Sequence, residues 1–293
     1  MFLIRTTLIL VYCLIFVGGL VRSTGSGMGC PDWPKCFDMW IPPLYEYQLP
    51  HDYQEIYKDR GYQDTQFNAA KTWTEYLNRL LGAVTGIVML VATMASFKYW
   101  RRKRKVTLFC TGALLLTITE GALGAKVVFS HLAPYLVTMH LLLAFVIVAL
   151  LILALYHSKN STESYTISFR TRICWGLCMG LTILQVILGA QVREGIEHVS
   201  SLSELGYVLE FHQIIGFLIF ACNSFLVYQI VGEADKKSPL MVRVYGLWCV
   251  ILLEIACGIG MVQLGMPALI QPVHLLFAAI IFGVQVDIGV RVG

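Results

Sequence analysis

The sequence predicts an all-α polytopic membrane protein with eight transmembrane helices, arranged as two tandem four-helix bundles. The first observation is composition: 57% of the 293 residues are hydrophobic and only 14% are charged, which is unlike a soluble globular domain. The second is a set of eight apolar runs, each near the roughly 20 residues that a bilayer crossing needs. The third is an internal repeat. Backbone groups in lipid must hydrogen-bond within their own segment, so we expect these runs to be helices.

The eight predicted spans cover most of the chain. They are residues 2–21, 76–97, 106–128, 135–156, 173–192, 207–231, 242–262 and 270–290. The only long connection is the loop 22–72. The first span could be a cleaved signal peptide, but its length and its counterpart in the fifth span favour its retention. No Arg- and Ser-rich presequence precedes it, which favours a bacterial or archaeal plasma membrane over a mitochondrion.

Lysine and arginine residues predict the orientation of the spans, because cytoplasmic loops carry an excess of them. One side of the membrane holds fourteen and the other holds eight. The larger set is Arg5, Lys98, residues 101–105, Lys159, Arg170, Arg172, Lys236, Lys237, Arg243 and Arg291. We therefore expect both termini to be cytoplasmic and the long loop to face outward. The run at 101–105 indicates a topology anchor rather than a nucleic-acid patch, so we expect membrane lipid and no nucleic acid around this chain.

A repeat links the fourth and eighth spans. Glu120 precedes His140 by twenty residues, and Glu254 precedes His274 by the same number. Without a gap, TEGALGAKVVFSHLAPYLVTMHLLLA aligns with LEIACGIGMVQLGMPALIQPVHLLFA. The pattern predicts one four-helix unit used twice, as residues 1–156 and 172–293.

The repeat continues upstream with one substitution. EYLNRLLG aligns with LEFHQIIG and places Asn78 opposite His212, while GGLVR aligns with GAQVR and places Arg22 opposite Arg193. One histidine of the expected four is thus an asparagine.

The three histidines of the repeat predict haem or metal ligation. By helical rise they lie about 6–8 Å inside the outward boundary of their spans. Ionisable groups in a membrane are costly unless they are used, which disfavours a purely structural role. His212 and His274 could supply two axial nitrogens to one iron, which suits electron transfer. Because an asparagine amide is a poor iron ligand, an iron held by His140 opposite Asn78 keeps one face open, as oxygen activation requires.

Acidic and basic residues surround these positions. Glu75, one turn before Asn78, is a candidate for proton transfer or for stabilising positive charge; the alternative is a solvated interface residue. Arg22, Arg79 and Arg193 lie at the same level, where they could bind haem propionates or extend toward water.

Two deeper glutamates remain open to two interpretations. Glu120 and Glu254 lie about 12 Å from the outer surface by helical rise. Each could hydrogen-bond between helices, or could orient a ligating imidazole.

The outward loop is peculiar to the first half. The stretch from Arg22 to Asn78 is 37 residues longer than the stretch from Arg193 to His212, and is rich in Trp, Tyr and Pro. A long loop of this kind predicts a packed lid over the open half. Within it Cys30 and Cys36 enclose five residues on the oxidising side, which favours a disulfide bond; a metal site is the weaker alternative.

The chain resembles the haem A synthase family. The resemblance rests on eight spans in two halves, the segment VRSTGSGMGCPDWPKC after the first span, EYLNR in the second, LGAQVRE closing the fifth, and histidines in the fourth, sixth and eighth. It implies an oxidoreductase that converts the C8 methyl group of haem O to a formyl group, with a bound haem b as electron relay. The product, haem A, is the cofactor of terminal oxidases.

The resemblance also implies residue roles. His212 and His274 would hold the haem b iron, His140 would bind the iron of the substrate haem O, and Glu75 would lie near the reacting haem. Cys30 and Cys36 match the family's outer-loop cysteine pair. The implied pathway partners are a haem O synthase, a terminal oxidase and an electron donor.

This sequence departs from the family pattern twice. The usual E-x-x-H-R reads E-Y-L-N-R here, so the second histidine of the substrate half is absent. The second outward loop, residues 194–206, contains no cysteine.

Two other functions compete with an oxidase. A non-catalytic dihaem b membrane cytochrome would pass electrons through two equivalent haems, which Asn78 argues against. A transporter built from repeats would carry its binding site near the bilayer midplane, whereas these histidines lie near one surface.

Overall fold

A computed structural model of the chain describes residues 1–159, 163–196 and 202–292. Eight long helices account for most of these residues. They are α1 (Phe2–Ser23), α2 (Ala69–Phe97), α3 (Arg104–Phe129), α4 (Pro134–Ser158), α5 (Phe169–Ile196), α6 (Tyr207–Glu233), α7 (Pro239–Gln263) and α8 (Ile270–Val292). Each is long and apolar enough to cross a membrane. The prediction of an all-α protein with eight membrane-spanning helices is confirmed, and the chain is a multi-pass membrane protein.

Several helices are longer than the apolar runs from which they were predicted. The second begins at Ala69, seven residues before the predicted span, and Asn68 caps it by accepting a hydrogen bond from the Lys71 amide at 3.1 Å. A capping side chain satisfies an amide that the helix itself cannot. Hydropathy detects only the lipid-embedded part of a helix, whereas the backbone remains helical up to its cap.

Helix packing follows the same order in each half. In the first half α1 contacts α2 and α4, α2 contacts α3, and α3 contacts α4. In the second half the contacts are α5 with α6 and α8, α6 with α7, and α7 with α8. Helices α1 and α4 both pack on α8, so α8 lies at the junction of the halves. The domain division at 1–156 and 172–293 stays a prediction.

The outward loop has a hydrophobic core of its own. Phe37 lies at its centre, and four aromatic rings approach it edge-on at centroid distances between 5.3 and 6.4 Å. These rings belong to Tyr53, Tyr57, Tyr62 and Phe67. Edge-to-face contacts of this kind are favourable beyond the area they bury, so the loop packs without a long helix or a sheet.

The same loop rests on the turn between α3 and α4. The Arg60 guanidinium lies over the Phe129 ring at 4.6 Å from its centroid. Gly61 faces the ring of His131 in that turn. The loop therefore lies over the end of the first half at which α3 ends and α4 begins.

Candidate functional site

Two histidines face each other in the second half. His212 on α6 and His274 on α8 place their ring centroids 6.3 Å apart, with ring planes inclined by 65°. An iron bound by both would lie roughly 3 Å from each centroid, because a metal–imidazole bond is about 2 Å long. The separation therefore leaves room for one metal ion between the two rings.

Glu254 on α7 orients one of these rings. The Nδ1 atom of His274 lies 3.2 Å from a carboxylate oxygen of Glu254 and 3.2 Å from its backbone carbonyl. An Nδ1–H that donates to Glu254 leaves Nε2 as the ligating atom. Of the two interpretations of Glu254, its contacts favour orientation of an imidazole.

Gln185 on α5 contacts the other histidine. Its amide nitrogen donates to the backbone carbonyl of His212 at 2.8 Å and lies 3.4 Å from the ring Nε2. The aligned position in the first half is Leu14. Sequence reasoning missed Gln185, although an uncharged polar residue within an apolar span is a detectable signal.

Glycines make room for all three imidazoles. Each of them brings the backbone of a neighbouring helix against the Cε1 edge of a ring. The pairs are Gly189 with His212, Gly258 with His274 and Gly124 with His140, where a Cβ would lie 3.2, 3.3 and 3.6 Å from Cε1. Gly124 and Gly258 occupy the same place in the repeat, so the gapless alignment already contained this signal.

His140 is the one histidine of the first half at a repeat position. The Nδ1 atom of His140 contacts the carboxylate of Glu120 on α3, which repeats the Glu254–His274 arrangement. The His140 side chain is 45% exposed, against 21% for His274. The Asn78 side-chain oxygen is buried and has no hydrogen-bond partner among the described residues. His140 and Glu120 thus form a carboxylate–imidazole pair here, and Asn78 supplies no imidazole opposite them.

Glu75 lies beneath the outward loop and is only 3% exposed. One carboxylate oxygen accepts the Cys30 backbone N–H at 2.9 Å. The other pairs with Arg79, one turn further along α2. The alternative of a solvated interface residue does not describe this position, since both carboxylate oxygens are bound by protein donors.

Arg79 connects the same helix to the loop. Its guanidinium donates to the backbone carbonyls of Asp32 at 2.6 Å, Lys35 at 3.0 Å and Cys30 at 3.4 Å. Most of its donors are therefore used within the protein. Its predicted contact with a haem propionate stays a prediction.

The other two candidate arginines lie together where the halves meet. Arg22 at the end of α1 pairs with Glu194 at 2.6 Å, and Arg193 on α5 donates to the Arg22 carbonyl at 2.8 Å. The two positions that the repeat relates are thus adjacent in space. This places two arginines at the ends of α1 and α5, close to each other.

The cysteine pair forms the predicted disulfide, Cys30–Cys36, with Cα atoms 4.9 Å apart. Directly after the disulfide, Phe37 and Asp38 both adopt left-handed backbone conformations, with φ of 55° and 58°. The Asp32 carboxylate stabilises them by accepting their backbone N–H groups at 2.6 and 2.8 Å. Side-chain hydrogen bonds of this kind stabilise tight turns.

Two further contacts hold the loop against α2. Gly29 approaches so closely that a Cβ there would lie 2.5 Å from the Lys71 carbonyl oxygen. Burial raises the pKa of Tyr62, and the charge of Glu75 raises it further. The neutral phenol donates to the Met28 carbonyl at 2.9 Å. Loop and helix therefore form one packed unit around Glu75.

Comparison with known proteins gives the family. The sequence profile of the COX15-CtaA family, described as "Cytochrome oxidase assembly protein", matches residues 2–204. A protein of Rickettsia prowazekii named "Heme A synthase" is 24% identical over 316 residues, covering 94% of this chain and 92% of that protein. The protein of that name in Rickettsia felis is 24% identical and covers 94% and 93%.

A third relative matches more strongly over a shorter stretch. The "Heme A synthase" of Shewanella oneidensis is 31% identical over 151 residues, which cover 52% of this chain and 43% of that protein. The family profile spans more than half of the sequence, including α1 to α5 and both Cys30 and Glu75. This chain belongs to the COX15-CtaA family of cytochrome oxidase assembly proteins.

Proposed function

We propose that this chain is a haem A synthase, a membrane oxidoreductase that oxidises the C8 methyl group of haem O to a formyl group. The family and the shared name of the relatives support this activity. The net change replaces two hydrogen atoms by one oxygen atom and removes four electrons from the substrate. The reaction therefore needs an oxidant for those electrons and groups that move protons.

The observation that carries the proposal is the contrast between the two histidine sites. His212 and His274, whose ring centroids are 6.3 Å apart, would together hold the iron of haem b. Such a haem supplies one-electron transfer. The single, more exposed His140 fits an exchangeable haem O, which is the substrate.

The first half would bind and orient the substrate with its own residues. His140 is the proposed ligand of the haem O iron, and Glu120 fixes the orientation of its ring. Outer-shell carboxylates of this kind set both the tautomer and the basicity of a ligating histidine. Glu254 has the same proposed role for His274 on the haem b side.

Glu75 is the proposed catalytic residue of the first half. Buried beneath the loop, it is held by Cys30 and Arg79 in one orientation. A carboxylate that is fixed and shielded from bulk water can hold or move a proton at a defined point. The loop would exclude water and bring Glu75 toward the reacting edge of the substrate.

Charged residues at the outward end would bind the propionates. Arg22 and Arg193 lie at the seam between the sites, and Arg79 lies under the loop. Guanidinium groups bind carboxylates with two parallel hydrogen bonds. Any propionate contact would have to share these groups with Glu194 and Glu75.

The proposed setting is a plasma membrane with both termini cytoplasmic and the histidine sites near the outer face. The distribution of Lys and Arg supports this orientation. A haem O synthase would supply the substrate, and a terminal oxidase would receive the product. The electron donor would act on the haem b of the second half.

Co-expression of the full chain with a haem O synthase tests the activity. Extracted pigments are separated by chromatography and identified by mass. We expect haem A with the native chain, and haem O without haem A with His140→Ala, which should still hold haem b. Haem O without haem A with the native chain, in the presence of dioxygen and electron donors, would overturn the proposal.

An optical spectrum of the purified protein separates this function from the dihaem cytochrome. Two fully occupied low-spin haems with bis-histidine ligation would favour the cytochrome. Asn78 supports the synthase instead, because its buried amide oxygen has no hydrogen-bond partner in the part of the chain that the structure describes and position 78 supplies no imidazole.

A further inference from the structure

A cavity lies at the end of the helices opposite the histidines. It has a volume of about 300 Å³ and opens where α1, α4 and α8 meet. Its wall is largely apolar and includes Leu8, Ile152 and Leu155. Arg5 and Lys159 are among the charged residues that line it. Cavities of this size are at the lower end of the range for small-molecule sites, which is roughly 300–1,000 Å³.

A glycine makes room for a tyrosine in the wall of the cavity. At Gly283 on α8 an added side chain would collide with the hydroxyl of Tyr12 on α1. That hydroxyl lines the cavity and has no hydrogen-bond partner among the described residues. Buried phenols usually find a partner, so an acceptor from a bound molecule would satisfy this one.

The cavity also carries an uncompensated positive charge. Asp287 and Arg291, which line it, pair with each other at 2.9 Å, and Arg243 and Glu163 complete a balanced cluster beside them. Arg5 and Lys159 have no carboxylate partner among the described residues. The side chains of Arg5 and Lys159 therefore add two positive charges to a neighbouring ion-pair cluster that is itself neutral.

We propose that this cavity binds one anionic phospholipid at the junction of the two halves. The phosphate would lie between Arg5 and Lys159, an acyl chain would follow the apolar wall, and the Tyr12 hydroxyl would donate to an ester carbonyl. Basic pockets between transmembrane helices bind anionic lipid head groups. Because α1 and α4 belong to the first half and α8 to the second, the lipid fills a gap between them. The proposal does not depend on the enzymatic function.

Lipid binding to the full chain tests the proposal. The purified protein is delipidated in neutral detergent and titrated with phosphatidylglycerol, phosphatidylcholine or inorganic phosphate, and binding is followed by native mass spectrometry and by Tm. We expect phosphatidylglycerol to bind and to raise Tm, and the other two to do neither. Equal binding of both lipids, or the same effect with inorganic phosphate, would overturn the proposal.

A pair of matched variants locates the site. Arg5→Gln with Lys159→Gln should weaken phosphatidylglycerol binding at least about tenfold, since two basic contacts are lost. Lys236→Gln with Lys237→Gln removes the same charge from exposed positions at the same end, away from the cavity, and should bind like the native chain. Equal weakening in both would assign the effect to general surface charge. Unchanged binding in the first variant would exclude the cavity.

Discussion

The two halves of this chain repeat one order of helices, but a position that holds a histidine in the second half holds an asparagine in the first. In the second half His212 and His274 face each other across 6.3 Å. In the first half His140 keeps its carboxylate partner, while Asn78 stands where the other half has His212. The exposed fraction of the imidazole doubles, from 21% for His274 to 45% for His140. One substitution in a duplicated unit thus leaves a histidine pair in the second half and a lone, more exposed repeat histidine in the first.

A second difference is the loop above the first half. It buries Glu75 to 3% exposure and binds one of its carboxylate oxygens through the Cys30 N–H, while Arg79 of α2 binds the other. The nearest acid in the second half, Glu210, is exposed. The extra loop therefore helps to fix a buried carboxylate in the half that carries His140, where the proposed reaction would need proton transfer.

Removing either histidine of the closed pair should have the largest effect. We expect His212→Ala or His274→Ala to lose haem b and to lower turnover by roughly 100-fold or more, because loss of an outer-shell partner alone costs 10–100-fold. A pyridine haemochrome assay of purified protein measures the haem. His157→Ala is the control, since that histidine stacks on Phe109 at the other end of α4. Full haem b content in the pair variants would contradict the assignment.

Neutralising the buried carboxylate should have the next largest effect. We expect Glu75→Gln to retain haem but to lower turnover about 100-fold, within the range for general acid–base groups. Haem A formation per bound haem measures this. The exposed Glu210→Gln is the matched control and should stay near native activity. Unchanged turnover in Glu75→Gln would leave that residue with a structural role only.

Restoring the missing imidazole should erase the main difference between the halves. In Asn78→His we expect the bound haem O to become six-coordinate, and carbon monoxide binding by the reduced protein to fall to near zero. Turnover should fall less than in Glu75→Gln, because the family resemblance implies that a histidine is tolerated there. Carbon monoxide binding equal to that of the native chain would mean that position 78 does not face the iron.

The two carboxylate–imidazole pairs should act independently. Glu254→Gln should raise the reduction potential of haem b, because a neutral amide makes His274 a weaker electron donor. Glu120→Gln should leave that potential unchanged and weaken haem O retention about tenfold. Redox titration and substrate titration measure the two effects. Equal shifts of the haem b potential in both variants would show that the sites are not separate.

The disulfide should contribute the smallest effect. Replacing Cys30 and Cys36 by serine should destabilise the outward loop by about 2 kcal/mol. Faster cleavage in limited proteolysis of the loop measures this, and turnover should fall modestly since the Cys30 N–H binds Glu75. The exposed Cys249→Ser is the control. Severe loss of turnover with an intact loop would assign the pair a redox role instead.

Much of the site could be predicted because it repeats. The equal spacing of Glu120 to His140 and Glu254 to His274 relates the two halves without any structure. Gln185 was missed because nothing in the first half corresponds to it. The glycines against the imidazoles were also missed, since a glycine in an apolar span has many uses.

The sequence by itself determined the eight spans, the duplicated histidines and the disulfide, because hydropathy and spacing along one helix are local properties. Only the tertiary structure decided that His212 meets His274, that each glutamate contacts its own histidine, and that Glu75 lies beneath the loop. These contacts depend on the rotation and crossing of helices distant in sequence. They also depend on an aromatic loop core that no periodic pattern reveals.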